Sequence, residues 1–244
     1  MTSFAGIRTI RPVSVDFTEG IKWYLAFVFS TTAHEAAHAW TALKLGDDTA
    51  HRGGQVTLDP TPHIKREPIG MVAVPILSYL LGGWMIGWAS APYNPKWAMQ
   101  YPKRAAAMSL AGPISNLIIV ILAAVCIRIG MAGGYFEPPD RMTFARVVDA
   151  HTSGGFFVAS FLSIFFSLNV LLCTFNLLPL PPLDGSGVVM FFVSEEAAPR
   201  FLELLYSPAL RMFGLFIAWR IFGVAFPAIQ LAAVNLLYPG LHYQ

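Results

Sequence analysis

Apolar residues gather in five runs, at about 21–43, 69–89, 105–129, 156–180 and 208–238, with polar residues collected between them. A helix needs about 20 apolar residues to cross a hydrocarbon layer ~30 Å thick. The pattern therefore predicts an all-α polytopic membrane protein with about four to six membrane helices. The longest polar connections, about 44–67, 90–104 and 130–155, are too short to hold a separate folded domain. Residues 1–244 are expected to form a single integral membrane domain, without repeats or a low-complexity linker. One connection differs in texture. Gly53-Gly54-Gln55-Val56-Thr57-Leu58-Asp59-Pro60 sets Gly and Pro around a β-prone stretch, which predicts a short hairpin or strand. Farther on, Ser194-Glu195-Glu196 predicts a short amphipathic helix through Leu205 with Ser194 as its N-cap.

The first apolar run is interrupted by chemistry. It reads Phe29-Ser-Thr-Thr-Ala-His34-Glu35-Ala-Ala-His38-Ala-Trp40. On a helix, residues four apart share a face, so His34 and His38 can offer two imidazoles to one ion, with Glu35 beside them. Ionisable groups at membrane depth cost roughly 2.5–3.5 kcal/mol each, so they are rarely retained there without a function.

Composition sharpens this picture without changing it. The chain is 55% hydrophobic and 12% charged, far from a soluble domain. Its net charge of +2 lies between the apolar runs, which suits lipid headgroups and gives no nucleic-acid stripe. Cys126 and Cys173 sit in apolar runs and read as packing residues. Arg8, Arg11, Asp16 and Glu19 precede the first run with no small-residue cleavage site before His34, so that run is expected as a retained span.

A catalytic zinc takes three protein ligands and keeps one position open. The metzincin spacing fails, because positions 41 and 44 hold Thr41 and Lys44. Glu67, Glu195 and Glu196 all lie in polar connections. Asp184, in Asn176-Leu-Leu-Pro-Leu-Pro-Pro-Leu-Asp184-Gly185, is a lone carboxylate between apolar stretches.

Taken in order, His34-Glu-Ala-Ala-His38, Ala111-Gly112-Pro113-Ile114-Ser115-Asn116 and the Asn176-to-Gly185 segment resemble the site-2 protease family of intramembrane zinc metalloproteases. The likeness is to short prokaryotic members without PDZ or CBS domains. Leu58-Asp59-Pro60, His63-Ile64 and Pro68-Ile69-Gly70 resemble the loop after the first motif in those members, although Asp59 and Lys65 depart from its usual residues. The resemblance implies one zinc ion per chain held by His34, His38 and Asp184, with Glu35 as general base. It places Asn116 and Asn176 at the substrate strand and His63 near the active site. It implies regulated intramembrane proteolysis, with transmembrane proteins as substrates, the lipid bilayer as surroundings and no nucleic acid.

For His34, His38 and Asp184 to meet, the 21–43 and 156–180 spans must run parallel, so one of the two apolar runs between them fails to cross. The 69–89 run, with Pro75, Gly82, Gly83 and Gly87, is the expected re-entrant segment. Gly83-x-x-x-Gly87 is a weak candidate for a helix-packing face. Lys and Arg are then mildly more frequent on the metal side (Lys44, Arg52, Lys65, Arg66, Lys96, Lys103, Arg104, Arg200 and Arg211) than opposite (Arg8, Arg11, Lys22, Arg128, Arg141 and Arg146). The active site is expected to face the cytoplasm from a prokaryotic inner membrane. His51, His151 and His242 read as solvated loop residues. A second reading, a non-proteolytic zinc-binding membrane protein (transporter or inactive binding module), predicts polar ligands on several spans; the other spans are nearly bare of His, Asp and Glu.

Overall fold

The computed structural model describes residues 16–241 and 243; Arg8, Arg11 and His242 lie outside the described residues. The helices are α1 (Phe17–Leu45), α2 (Thr49–Arg52), α3 (Pro60–Arg66), a π turn (Ile69–Ala73) leading into α4 (Val74–Gly82), and α5 (Pro95–Gln100). After α6 (Pro102–Ala132) comes a small antiparallel pair, β1 (Phe136–Glu137) with β2 (Asp149–Ala150). The chain then forms α7 (Ser153–Asn176), α8 (Asp184–Val188), a 3-10 turn (Val189–Phe191), α9 (Ala198–Tyr206) and α10 (Pro208–Leu237).

Helices α6, α7 and α10 are long and apolar enough to cross a membrane. With 29 residues α1 is as long, but Glu19, Lys22, His34, Glu35, His38 and Lys44 make it less apolar. The 69–89 run is short: Ile69–Gly82 is helical and ends where Gly83 turns left-handed at φ +75°. At 1.5 Å per residue it reaches ~21 Å, less than the ~30 Å core.

Contacts fix the helix directions. Near the start of α1, Lys22 Nζ donates to Ser160 Oγ of α7; farther along, Asn169 Nδ2 donates to Ser30 Oγ. Both chains advance together, so α1 and α7 run parallel. On α6 the order reverses, with Asn116 against His34 and Met108 against His38. One crossing, α6, thus separates the parallel pair, as the ligands require. Helix α10 returns antiparallel to α7, with Gly214 close to Pro181, Gln230 Nε2 donating to Ser167 Oγ and Tyr238 Oη donating to Val147 O.

The packing is that of a protein whose solvent is lipid. Large side chains such as Leu117, Ile121, Phe213 and Val224 face outward, while Ser30, Asn116, Ser163, Ser167 and Asn169 are fully buried. Alanines (Ala26, Ala39, Ala42, Ala105, Ala106) line the inner faces and bring the backbones close, which raises van der Waals contact where the hydrophobic effect supplies little.

Several expectations are corrected. The 46–67 connection holds α2 and α3, not a hairpin, and the hairpin lies after α6. Asp59 accepts from Thr61 N at 2.9 Å with Pro60 at the first helical position, an N-terminal signal that outweighs the β propensity of Val56-Thr57. Ser194 closes a turn, accepting from Ala197 N, and α9 begins at Ala198. Gly83 and Gly87 share no helix. Gly87 instead crosses Gly70, so closely that a Cβ there would meet Gly70 O at 2.2 Å and Phe27 Cζ at 2.5 Å. Gly87→Ala is therefore expected to lower the unfolding midpoint in detergent by about 2–12 °C, for an overpacking cost of about 1–3 kcal/mol. An unchanged melting curve would refute the close crossing.

Candidate metal centre

Asp16 accepts from Thr18 N and Glu19 N to start α1, and Gly46, left-handed at φ +106°, ends it. Between these caps the helix carries His34 and His38 inward with Glu35, all three buried. Asp184 arrives from a different direction, at the first position of α8 after a tight turn. Gly185 permits that turn, since a Cβ there would meet Leu177 O at 2.3 Å and Leu178 O at 2.4 Å.

Three donor atoms converge. His34 Nε2 is 3.0 Å from Asp184 Oδ2, His38 Nε2 is 3.0 Å from His34 Nε2, and His38 Nε2 is 3.3 Å from Asp184 Oδ2. A tetrahedral zinc with bonds of about 2.0–2.1 Å separates its ligands by about 3.3–3.4 Å, so this triangle fits one such ion after slight expansion.

The outer nitrogens settle the tautomers. His38 Nδ1 donates to Met108 O at 2.7 Å, and His34 Nδ1 lies 2.6 Å from Asn116 Oδ1. The amide orientation follows from a carbonyl at the end of the chain of bonds. Asn169 Nδ2 donates to Phe165 O at 2.8 Å, so its Oδ1 faces Asn116; Asn116 Nδ2 donates to that oxygen at 2.8 Å, leaving Asn116 Oδ1 to accept from His34. Both imidazoles thus carry a proton on Nδ1, and in the neutral form each turns a bare Nε2 toward the carboxylate.

Opposite the triangle, α6 approaches as bare backbone. A Cβ on Gly112 would lie 2.4 Å from His38 Nε2 and 2.5 Å from His34 Nε2. No other residue type leaves the centre open, a requirement that the sequence reading missed. Asn169 was missed as well, and a lone amide within an apolar run was its available signal.

Asn116, Asn176 and His63 occupy three different settings. Asn116, expected at the substrate, is fully buried with its oxygen and amide nitrogen committed to His34, Asn169 and Ser30. Asn176 donates to Leu172 O of its own helix at 3.0 Å. His63, on α3, is buried and donates through Nε2 to Thr57 O at 3.1 Å; it contacts none of the three converging residues. A cavity of about 640 Å³ is an apolar groove touching Ala33, Ala37 and Trp40, on the face of α1 turned away from His34 and His38.

Helices of membrane-spanning length around two imidazoles, a carboxylate and an adjacent glutamate define an integral membrane protein with a metal-binding site of hydrolase type. Residues 23–221 match the model of Peptidase family M50, and the chain belongs to that family, as its resemblance to site-2 proteases implied. It is 34% identical over 166 residues to a Bacillus subtilis (strain 168) protein named "Putative zinc metalloprotease YwhC", covering 68% of this chain and 66% of that protein. Two mycobacterial proteins named "Putative zinc metalloprotease Rip2" are also similar. The Mycolicibacterium smegmatis one is 27% identical over 77% of this chain and 63% of its own length. The Mycobacterium tuberculosis (H37Rv) one is 29% identical over 86% of this chain and 73% of its own. The chain thus spans about two thirds of the length of the curated relatives it matches. No solved structure matches it at a significant level.

Gly112→Ala is expected to abolish zinc binding, measured as metal per chain on purified protein. Gly223→Ala, where an added Cβ meets nothing within 4 Å, is expected to keep it. Full zinc content in Gly112→Ala would contradict this placement.

Proposed function

We propose that the protein is a zinc metalloprotease that cleaves peptide bonds within transmembrane segments of other membrane proteins. The observation that carries the reading is the convergence of two Nδ1-protonated imidazoles and a carboxylate beside a buried glutamate. The donor set and its spacing suit zinc. His34, His38 and Asp184 would hold one ion and leave one side open. When bound, zinc supplies Lewis acidity that lowers the pKa of water to about 7. Glu35 then accepts the proton of the attacking water and returns it to the leaving amine. Asn116 and Met108 O keep the imidazoles oriented through the cycle.

Depth supports a substrate drawn from the membrane. Gly112, at the centre, lies ten residues into α6 from Pro102, about 15 Å along a helix of membrane-spanning length. A peptide reaching that depth must be unwound before its carbonyl is accessible, because helical backbone is hydrogen-bonded and shielded. A transporter reading has less support, since His34, His38 and Asp184 form the one possible metal cluster among the described residues. Glu35→Gln is expected to abolish cleavage of a model single-span substrate while zinc per chain stays unchanged. Wild-type cleavage by Glu35→Gln would rule this mechanism out.

The metal side faces the cytoplasm in this reading. Arg104 donates to Leu45 O and Lys103 to Phe191 O, so basic residues cluster at the end of α6 nearest the centre. Arg52→Cys in intact cells is expected to resist impermeant thiol reagents, while Arg141→Cys is labelled. The opposite pattern would invert the orientation.

A further inference from the structure

One turn before the two histidines, α1 carries a pair of hydroxyls that depart from the chain's own habit. Serine and threonine inside helices commonly bond the carbonyl four residues back. Thr174 Oγ1 donates to Val170 O at 2.7 Å in this way, and Ser163 Oγ to Ala159 O at 2.7 Å. Thr31 and Thr32 do not. Both are buried, at 7% and 1% exposure, and neither hydroxyl has a hydrogen-bond partner among the described residues. The other two such atoms, Gln55 Oε1 and His63 Nδ1, lie beyond α1. A buried hydroxyl with nothing to bond is costly, and two in succession call for a common cause.

Their position on the helix supplies one. Glu35 follows Thr31 by four residues and Thr32 by three, the spacings at which helical side chains meet. Side chains on a helix lean back over the preceding turn, which gives the Glu35 side chain reach toward both threonines. Thr31 also precedes His34 by three residues and His38 by seven, which puts it in the middle of the metal face. Glu35 is itself buried, and none of the hydrogen bonds around the His34–His38 turn involves its carboxylate. Two donors without acceptors thus precede, by one helical turn, a carboxylate that has no donor among the described residues.

We propose that Thr31 and Thr32 are positioning residues whose hydroxyls donate to the Glu35 carboxylate and aim it at the metal side. This rests on Glu35 as the general base. An ionised carboxylate accepts several bonds, and rotation about its side-chain torsions brings it within reach of both hydroxyls. Two bonds from the helix that carries the base hold it in register with His34 and His38.

The test uses the purified full chain with zinc, comparing Thr31→Val, Thr32→Val, their combination and the two Ser variants. Loss of both hydroxyls is expected to lower kcat roughly ten- to hundredfold at unchanged KM and zinc content. The Ser variants are expected to restore kcat, and the Val pair to have no further effect in a Glu35→Gln background. The infrared carboxylate band that Glu35→Gln removes is expected to shift in the Val pair and return with Ser. Wild-type kcat with an unshifted band in the Val pair would overturn the proposal. Failure of the protease reading looks different, since the wild type itself would then not cleave. In that event the band alone decides the contact: a shift supports it and an unmoved band overturns it.

Discussion

Two imidazole lone pairs and a carboxylate oxygen converge at 3.0–3.3 Å, deep among helices with little water to separate them. Like partial charges at that distance repel, strongly where the dielectric is low. The arrangement persists only because each group is held from behind: His34 by Asn116, His38 by Met108 O, and Asp184 by the turn that Gly185 permits. His34, His38 and Asp184 would hold a divalent cation there, and its charge would offset that repulsion. The rest of the fold can be understood as what keeps those three supports fixed.

Because lipid offers no hydrogen bonds, the supports are themselves supported. The line from Phe165 O through Asn169 and Asn116 to His34 crosses three helices and ends on a metal-facing imidazole. Each amide has its orientation set by the next, so the tautomer of His34 is decided on α7, far from it in sequence. The same interior that needs small residues for helix contact needs none at all at Gly112, where backbone must pass the ligand nitrogens.

Much of this was legible in the sequence. His34 and His38 follow from helical period, and the parallel course of α1 and α7 from the need to join α1 to Asp184; the helical part of the 69–89 run, Ile69–Gly82, is short, as expected of a segment that fails to cross. What was not legible depends on contacts between distant segments. Asn116 looked available for substrate because nothing in its own segment names His34 as its partner. Gly112 showed no special role because the cost of a side chain there lies entirely in the imidazoles it would strike. The 46–67 stretch misled through its β-branched residues, when the Asp59-Pro60 pair carried the stronger local signal. Thr31 and Thr32 are ordinary helix residues by sequence, and only burial without a partner sets them apart.

X-ray absorption at the zinc edge of the purified chain tests the coordination most directly. The account predicts a first shell of two imidazole nitrogens and light oxygen donors at about 2.0–2.1 Å, with no sulfur. A sulfur shell near 2.3 Å, or a shell without imidazole scattering, would contradict it.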